Sequence, residues 1–302
     1  MVVTYERRAL LVRALTSLFG QTRPPDVVVV VDNASADDTV QTVREQFPAV
    51  DLVRLEWNTG GAGGFAVGLE RALFGHDADH VWLLDDDTVP TSTALAELLA
   101  AWSGRPGAAP ALVASRVVWT DGRAHPMNTP RTAPLVRHRE RDAAAAVDCV
   151  PVRSASFVSI LVDARAARAV APPIADYFLW NDDFEYTTRL LRERAGLASR
   201  RSVVVHHTHT FGSTDADPGP RFYFEVRNKL WLFTRSPGLG PAERLLYAAS
   251  TLRRWTRTIR RSSDRGTLMR AALRGGRDAV RAGPRDNDEV LAGAPSRDRS
   301  RP

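Results

Sequence analysis

Three consecutive carboxylates, Asp85-Asp86-Asp87, follow the apolar run Val81-Trp82-Leu83-Leu84. An apolar tetrad ending in acids reads as a buried strand that carries carboxylates to its C-terminal tip. Adjacent like charges repel, and a hard divalent cation relieves that repulsion, because Mg²⁺ and Mn²⁺ take oxygen ligands. In extended chain, residues i and i+2 share a face. Asp85 and Asp87 can therefore hold one metal while Asp86 faces elsewhere. An acidic turn capping a helix over Thr91 to Trp102 would use the same three residues, so the motif by itself leaves both readings open.

Other polar clusters point the same way. Asp32 follows five valines, and a carboxylate at a strand tip accepts hydrogen bonds from a base or a ribose; Asn33 and Ser35 beside it suit a turn. Asn58-Thr59-Gly60-Gly61-Ala62-Gly63-Gly64-Phe65 is a glycine-rich loop whose amides could approach a phosphate. It lacks the Gly-Lys-Ser/Thr ending of a P-loop. Asn181-Asp182-Asp183-Phe184-Glu185-Tyr186 sets acids among Tyr177, Phe178, Leu179 and Trp180. Carboxylates in apolar company bind protons more tightly, which suits a general base; a helix start favoured by the macrodipole is the plainer explanation. His206-His207-Thr208-His209 ends a valine-rich strand, and one of these histidines can complete the metal site. No cysteine cluster supports a zinc site.

The elements that must position these groups alternate in type. Strands are expected at Val2 to Thr4, Asp26 to Val31, Val50 to Leu55 and Val81 to Leu84. Helices are expected at Arg8 to Phe19, Thr39 to Gln46 and Phe65 to Phe74. Such alternation predicts an α/β fold with a mainly parallel sheet flanked by helices, whose ligands bind beyond the carboxyl ends of the strands. Thr4-Tyr5-Glu6-Arg7, Asp32-Asn33, Asn58-Thr59-Gly60 and Asp85-Asp86-Asp87 all fall at such ends. Later strands are expected at Ala111 to Thr120, Ser154 to Val162 and Ser202 to His209. Helices are expected at Thr187 to Ala195 and Arg221 to Phe233.

Bulk properties narrow the class. The 302 residues are 44% hydrophobic and 25% charged, ordinary for a globular protein. No run of about eighteen apolar residues indicates a membrane span, and Met1-Val2-Val3-Thr4 shows no secretory leader. The single cysteine, Cys149, excludes an internal disulfide and suggests a small packed residue in a reducing, cytoplasmic setting. The net charge of +6 is concentrated in a C-terminal arginine series from Arg253 to Arg281, and Lys229 is the only lysine. Leu245, Ala249, Leu252, Trp255 and Ile259 recur at helical spacing, so Pro241 to Arg261 is expected to be an amphipathic helix. Its arginines suit an anionic membrane surface, with Trp255 near the headgroups, or else a solvated face over a packed stripe. Nucleic acid fits poorly, since the aromatics do not interleave with the basic residues. From about Gly283 the chain is polar, and residues 283–302 are expected to be a disordered tail.

In order along the chain, Thr4-Tyr5-Glu6-Arg7, Val30-Val31-Asp32-Asn33-Ala34-Ser35, the Asn58 glycine loop, Asp85-Asp86-Asp87, Asp182-Asp183-Phe184-Glu185-Tyr186 and the Val-Val-His strand end resemble the family-2 inverting glycosyltransferases of GT-A fold. The glycine loop and Trp180-Asn181-Asp182-Asp183-Phe184-Glu185-Tyr186 are most similar to the actinobacterial galactofuranosyltransferases of cell-wall galactan synthesis, with Asn181 inserted after the tryptophan. The resemblance covers about residues 1–235. It implies a nucleotide-binding half (1–103) and an acceptor-binding half (104–235), and the arginine series and helical spacing add a basic helical extension (236–282). It implies a divalent metal, Mn²⁺ or Mg²⁺, on Asp85, Asp87 and His206 or His207, and Asp183 as the base with Asp182 as the alternative. Donor contacts would come from Thr4, Arg7, Asp32, Asn58, Gly60, Gly61 and Asp86, and acceptor contacts from Trp180, Glu185 and Tyr186. The substrates implied are UDP-galactofuranose and a lipid-linked glycan, at the cytoplasmic face of a membrane. A dTDP-rhamnose enzyme and a non-catalytic nucleotide-sugar-binding scaffold are the alternatives.

Overall fold

The computed structural model describes residues 1–133, 136–208, 211 and 217–292. The strands are β1 (Val2–Thr4), β2 (Val29–Asp32), β3 (Asp51–Arg54), β4 (His80–Asp85), β5 (Thr88–Pro90), β6 (Leu112–Val118), β7 (Arg131–Thr132), β8 (Cys149–Ser154), β9 (Ser159–Asp163) and β10 (Gly196–His206). The helices are α1 (Arg8–Phe19), α2 (Thr39–Gln46), α3 (Gly60–Glu70), α4 (Ala94–Gly104), α5 (His138–Ala145), α6 (Ala164–Arg168), α7 (Asp182–Leu190), α8 (Phe222–Thr234), α9 (Pro241–Arg261), α10 (Arg265–Arg281) and α11 (Asn287–Ala292).

One sheet runs in the order β3-β2-β1-β4-β9-β6-β10-β8-β7, with β5 paired to β10. The first four strands are mutually parallel, and β6 runs parallel to β10. Strand β9 enters antiparallel between β4 and β6. The valine run of β2 explains its central place. Val29 and Val31 pack with Val3 and the α3 residues Phe65 and Leu69 on one face. Val28 and Val30 pack with Val2 and the α1 residues Leu11 and Leu15 on the other. Both faces of the parallel half are thus covered by helices, which is what a continuous apolar strand requires. Cys149 is a buried member of the second cluster, and burial pushes its thiol up to about 11.

Several expectations are corrected. The glycine loop is not a loop throughout: α3 already begins at Gly60. Its glycines serve packing, because a Cβ on Gly64 would fall 2.4 Å from Val3 Cγ1, so the helix lies directly on β1. The segment expected as one strand from Ser154 to Val162 is two, β8 and β9, which pair with different neighbours. Helix α7 starts at Asp182, five residues before the expected Thr187, because the acids favour its N-terminus. The tail is ordered as far as Ala292. The Arg285 guanidinium pairs with Asp176 at 2.9 Å and Asn287 Oδ1 accepts from Ala175 N at 2.8 Å, so polar composition here serves specific contacts. Residues 293–302 and His209 lie outside the described residues.

Helix α9 has the expected bounds, but its stripe is split. Trp255 and Ile259 pack against Phe222, Val226 and Leu268, and Tyr247 packs against Phe184. Leu245 and Leu252 remain 75% and 59% exposed. Trp255 therefore faces the protein and not a headgroup layer. Arg153 fixes the start of the helix, donating to Glu243 and to the Thr188 carbonyl. No helix among the described residues is long and apolar enough to cross a membrane.

Candidate active site

Strand β4 ends at Asp85, a tight turn carries Asp86 and Asp87, and β5 returns along β10 with Thr88 opposite His206. That pairing brings His206 to the acids. Asp85, Asp87 and His206 each offer one ligand atom, all within 4.8 Å of one another. His206 Nε2 lies 2.9 Å from Asp87 Oδ1. Its Nδ1 lies 2.9 Å from Asn128 Oδ1, while Asn128 Nδ2 donates to Ser156 Oγ. Asn128 thus takes the proton on Nδ1 and leaves the Nε2 lone pair facing a carboxylate. Lone pairs and negative charges converging on one point fit a hard divalent cation better than one another. Burial and the charges of Asp87, Asp86 and Asp182 push the Asp85 carboxyl well above the usual range. Burial acts to raise Asp87 too, but His206, when its Nε2 carries a proton, and Arg7 outweigh it and hold that carboxyl low.

His207 does not join this group. Neighbouring strand residues point to opposite faces, and its ring sits 3.3 Å from the Arg13 guanidinium. Asp86 does face elsewhere, though through a turn and not an extended alternation. It accepts from Thr4 Oγ1 at 2.8 Å and from Arg7 at 3.3 Å, and Arg7 also reaches Asp87 at 2.6 Å. Thr4, Arg7 and Asp86 are therefore engaged with one another and brace the acidic turn. Burial pushes Asp86 up to about 6.

Asp32 is fully buried at the tip of β2. Its Oδ2 accepts from Ser35 N at 3.1 Å. Its Oδ1 has no hydrogen-bond partner among the described residues, so a ligand N–H or O–H finds an acceptor there. Asn33 accepts from Thr59 N and donates to the Gly60 carbonyl, tying the glycine turn to β2. Asn58 accepts from Gly60 N at 2.8 Å, so its side chain shapes that turn. Gly60 has φ +71°, and a Cβ there would lie 2.0 Å from the Phe178 carbonyl oxygen. Gly61 lines the cleft with open space before it.

The acidic pair is delivered by a strained turn. Phe178, Trp180 and Asn181 have φ of 60°, 66° and 68°, uncommon for residues with a side chain. Phe178 closes a γ-turn in which Leu179 N donates to the Tyr177 carbonyl. The buried Asn228 amide holds the turn, reaching the carbonyls of Tyr177, Leu179 and Trp180 at 2.9, 2.9 and 2.8 Å. Asn181 donates to Glu225, which also receives Arg254 and Trp255 from α9. Sequence reasoning missed both Asn128 and Asn228. Each is a lone polar residue whose partners lie far away in the chain.

Asp182 and Asp183 face a cleft of about 780 Å³ whose lining includes Asp85, His206, Trp180, Arg131, Lys229 and Trp255. Burial and then the Asp183 charge push Asp182 up to about 8. Burial also raises Asp183, against the opposing pull of its bond from Phe184 N and of Lys229 and Arg131. Burial pushes the Lys229 ammonium down to about 8. Trp180 lines the cleft, whereas Glu185 and Tyr186 do not. Glu185 is 1% exposed and spent on Arg189 and Ser236. Tyr186 is fully buried against Phe157.

Comparison with known proteins gives the family. Residues 1–159 match the Glycosyl transferase family 2 description. The chain is 31% identical over 258 residues to galactofuranosyltransferase GlfT1 of Mycobacterium tuberculosis, covering 79% of this chain and 82% of the relative. Among solved structures, S. aureus TarS superposes with a TM-score of 0.61 and 20% identity over 96% of this chain, which spans 50% of that TarS chain. A mannosyltransferase from Pyrobaculum calidifontis in complex with GDP-Man and Mn²⁺ gives a TM-score of 0.54 at 19% identity, over 96% of this chain and 77% of the other. With the acid pair, the acidic turn and the buried Asp32 on one rim of a GT-A fold, the chain belongs to glycosyltransferase family 2 and is a glycosyltransferase.

Proposed function

We propose that this protein is an inverting, metal-dependent glycosyltransferase that moves galactofuranose from UDP-galactofuranose to a hydroxyl of a lipid-linked glycan. The observation that carries the reaction type is the meeting of Asp85, Asp87 and His206 with Asp182 and Asp183 on one cleft. The donor assignment rests on the identity to GlfT1. We assign residues 1–103 to the donor and 104–235 to the acceptor.

Asp32 Oδ1 accepts from the nucleoside, and Gly61 leaves room for the diphosphate to approach the backbone. Asp85, Asp87 and His206 would hold Mn²⁺ or Mg²⁺, which supplies charge neutralisation of the departing diphosphate. Asp183 removes the proton of the acceptor hydroxyl as its oxygen bonds to the anomeric carbon. The bond to the nucleotide breaks on the opposite face, and configuration inverts. Of the two acids, Asp183 faces Lys229 and Arg131 and is the better base; Asp182, pushed up to about 8, keeps its proton at neutral pH. Trp180 offers a ring for the acceptor sugar.

The lipid carrier suggests a membrane contact. Leu245, Leu246 and Leu252 on α9 and Met269, Leu273 and Val280 on α10 are exposed, among arginines that include Arg253 and Arg260. Such a face suits the surface of an anionic bilayer. A donor screen tests the whole reading: protein, Mn²⁺ or Mg²⁺, a panel of nucleotide sugars and a lipid-linked acceptor, with released nucleoside diphosphate measured. UDP-galactofuranose should give the highest rate; preference for dTDP-rhamnose would overturn the donor assignment.

A further inference from the structure

The cleft wall made by α7, α8 and β7 carries two cations whose part in the reaction as described is limited to facing Asp183. Lys229 is 4% exposed, yet lines the cleft. Among the described residues its ammonium makes no hydrogen bond and no ion pair; it lies 4.2 Å from the centre of the Phe184 ring and 6.0 Å from that of Phe233. The Arg131 guanidinium leans on the same ring at 5.3 Å, and on Tyr247 at 5.7 Å. Glu225 and Asp183 attract the Lys229 ammonium across the cleft, but neither bonds it. Glu225 receives Arg254, Trp255 and Asn181, and Asp183 Oδ1 accepts from Phe184 N.

Burying an ammonium without an anionic partner is costly, and two cations on one ring add mutual repulsion. Packing does not demand them, since apolar side chains would fill that wall at lower cost. The residue type is informative as well. Lys229 is the single lysine among 41 basic residues, so arginine serves wherever a general positive charge is needed. Lysine differs in being a compact point charge with three donors, which suits one small polyoxygen anion in a narrow site.

We propose that Lys229 and Arg131 form a binding site for a phosphate group carried by the acceptor, beside the hydroxyl that Asp183 activates. The proposal rests on the reading of Asp183 as the base, and it deepens that reading by naming an acceptor chemistry. The donor diphosphate is served elsewhere, by the metal ligands and the glycine turn. A phosphate held at Lys229 anchors the acceptor within about one sugar ring of the base, and its charge compensates both cations.

The test uses the full chain saturated with UDP and Mg²⁺, so that the donor site is filled, and titrates inorganic phosphate and a short-chain prenyl diphosphate by calorimetry. The wild type should bind phosphate. Lys229→Gln should weaken it about tenfold or more, as loss of a charge-assisted contact implies. Arg131→Gln, at an exposed position that leaves the core untouched, should weaken it several-fold. UDP affinity should be unchanged in both. Tighter binding of the prenyl diphosphate assigns the phosphate to a lipid carrier; equal binding assigns it to a sugar phosphate. Phosphate affinity unchanged in both variants overturns the site, as does a loss of UDP binding with phosphate binding kept. If the wild type fails to bind UDP, the nucleotide-sugar reading falls, and the phosphate titration without nucleotide still decides the Lys229 site.

Discussion

The two sides of the cleft are built on different principles. On the rim at the ends of β1, β2 and β4, polar groups satisfy one another over short loops: Asp86 with Thr4 and Arg7, Asn33 with Thr59 and Gly60. Little is left over beyond Asp32 Oδ1 and the converging group of Asp85, Asp87 and His206. The opposite wall keeps three residues at positive φ and two cations with neither hydrogen bond nor ion pair among the described residues. The first side is a finished socket, which on the proposed reading a metal and a nucleotide would complete. The second holds strain and charge that a substrate bound as proposed would relieve, as expected where binding energy is directed to the reacting atoms.

Substitutions should separate the sides. The largest effects belong to the socket: Asp85→Ala or Asp87→Ala should abolish transfer and Mn²⁺-dependent UDP binding together, and EDTA should do the same to the wild type. A rate insensitive to EDTA would remove the metal from the mechanism. Next, Asp183→Asn should lower turnover by about 10²-fold or more with UDP affinity intact, as loss of a general base implies. Equal loss of UDP affinity would move Asp183 to the donor side.

The third contrast concerns the turn itself. Asn228→Asp keeps the size of the side chain but removes its donors, so the carbonyls of Tyr177, Leu179 and Trp180 lose their partner. Turnover should fall by about tenfold while UDP binding stays, at a cost of about 1–3 kcal/mol for unpaired buried groups. Adding Asn181→Gly, which accepts positive φ without strain, should recover part of the loss. Recovery would not follow if Asn228 served only packing.

The smallest effect is on stability. Asp182 binds its proton more tightly folded than unfolded, with a value raised to about 8 by burial and the Asp183 charge. Between about pH 4 and pH 8 the folded state then holds more protons than the unfolded one, so stability falls as pH rises. The melting temperature of EDTA-treated protein should decline from pH 5 to pH 8. Asp182→Asn should flatten that decline.

What the sequence disclosed follows the same division. Helices α1, α2 and α9 have the bounds that periodicity predicts, and the strand tips carry the polar clusters read from single short segments. Those signals are local. The split of Ser154–Val162 into two strands, the pairing of β5 with β10 that selects His206 over His207, and the burial of Glu185 and Tyr186 all depend on partners remote in the chain. Asn128 and Asn228 belong to no local pattern, so only the folded contacts assign them.

The contact between Gly60 and the Phe178 carbonyl carries a consequence for kinetics. Among the described residues no side chain stands between the glycine turn and the turn that precedes Asp182 and Asp183, and Ala62 N donates to the same carbonyl at 3.3 Å. A shift of one turn is therefore transmitted backbone to backbone, with no rotamer to absorb it. A nucleotide bound against Gly61, as proposed, would press on the segment that carries Asp182 and Asp183. Such coupling favours a compulsory sequence of events, nucleotide sugar first and glycan second, with the nucleoside diphosphate leaving last. Product inhibition by UDP should then be competitive against the donor and noncompetitive against the acceptor.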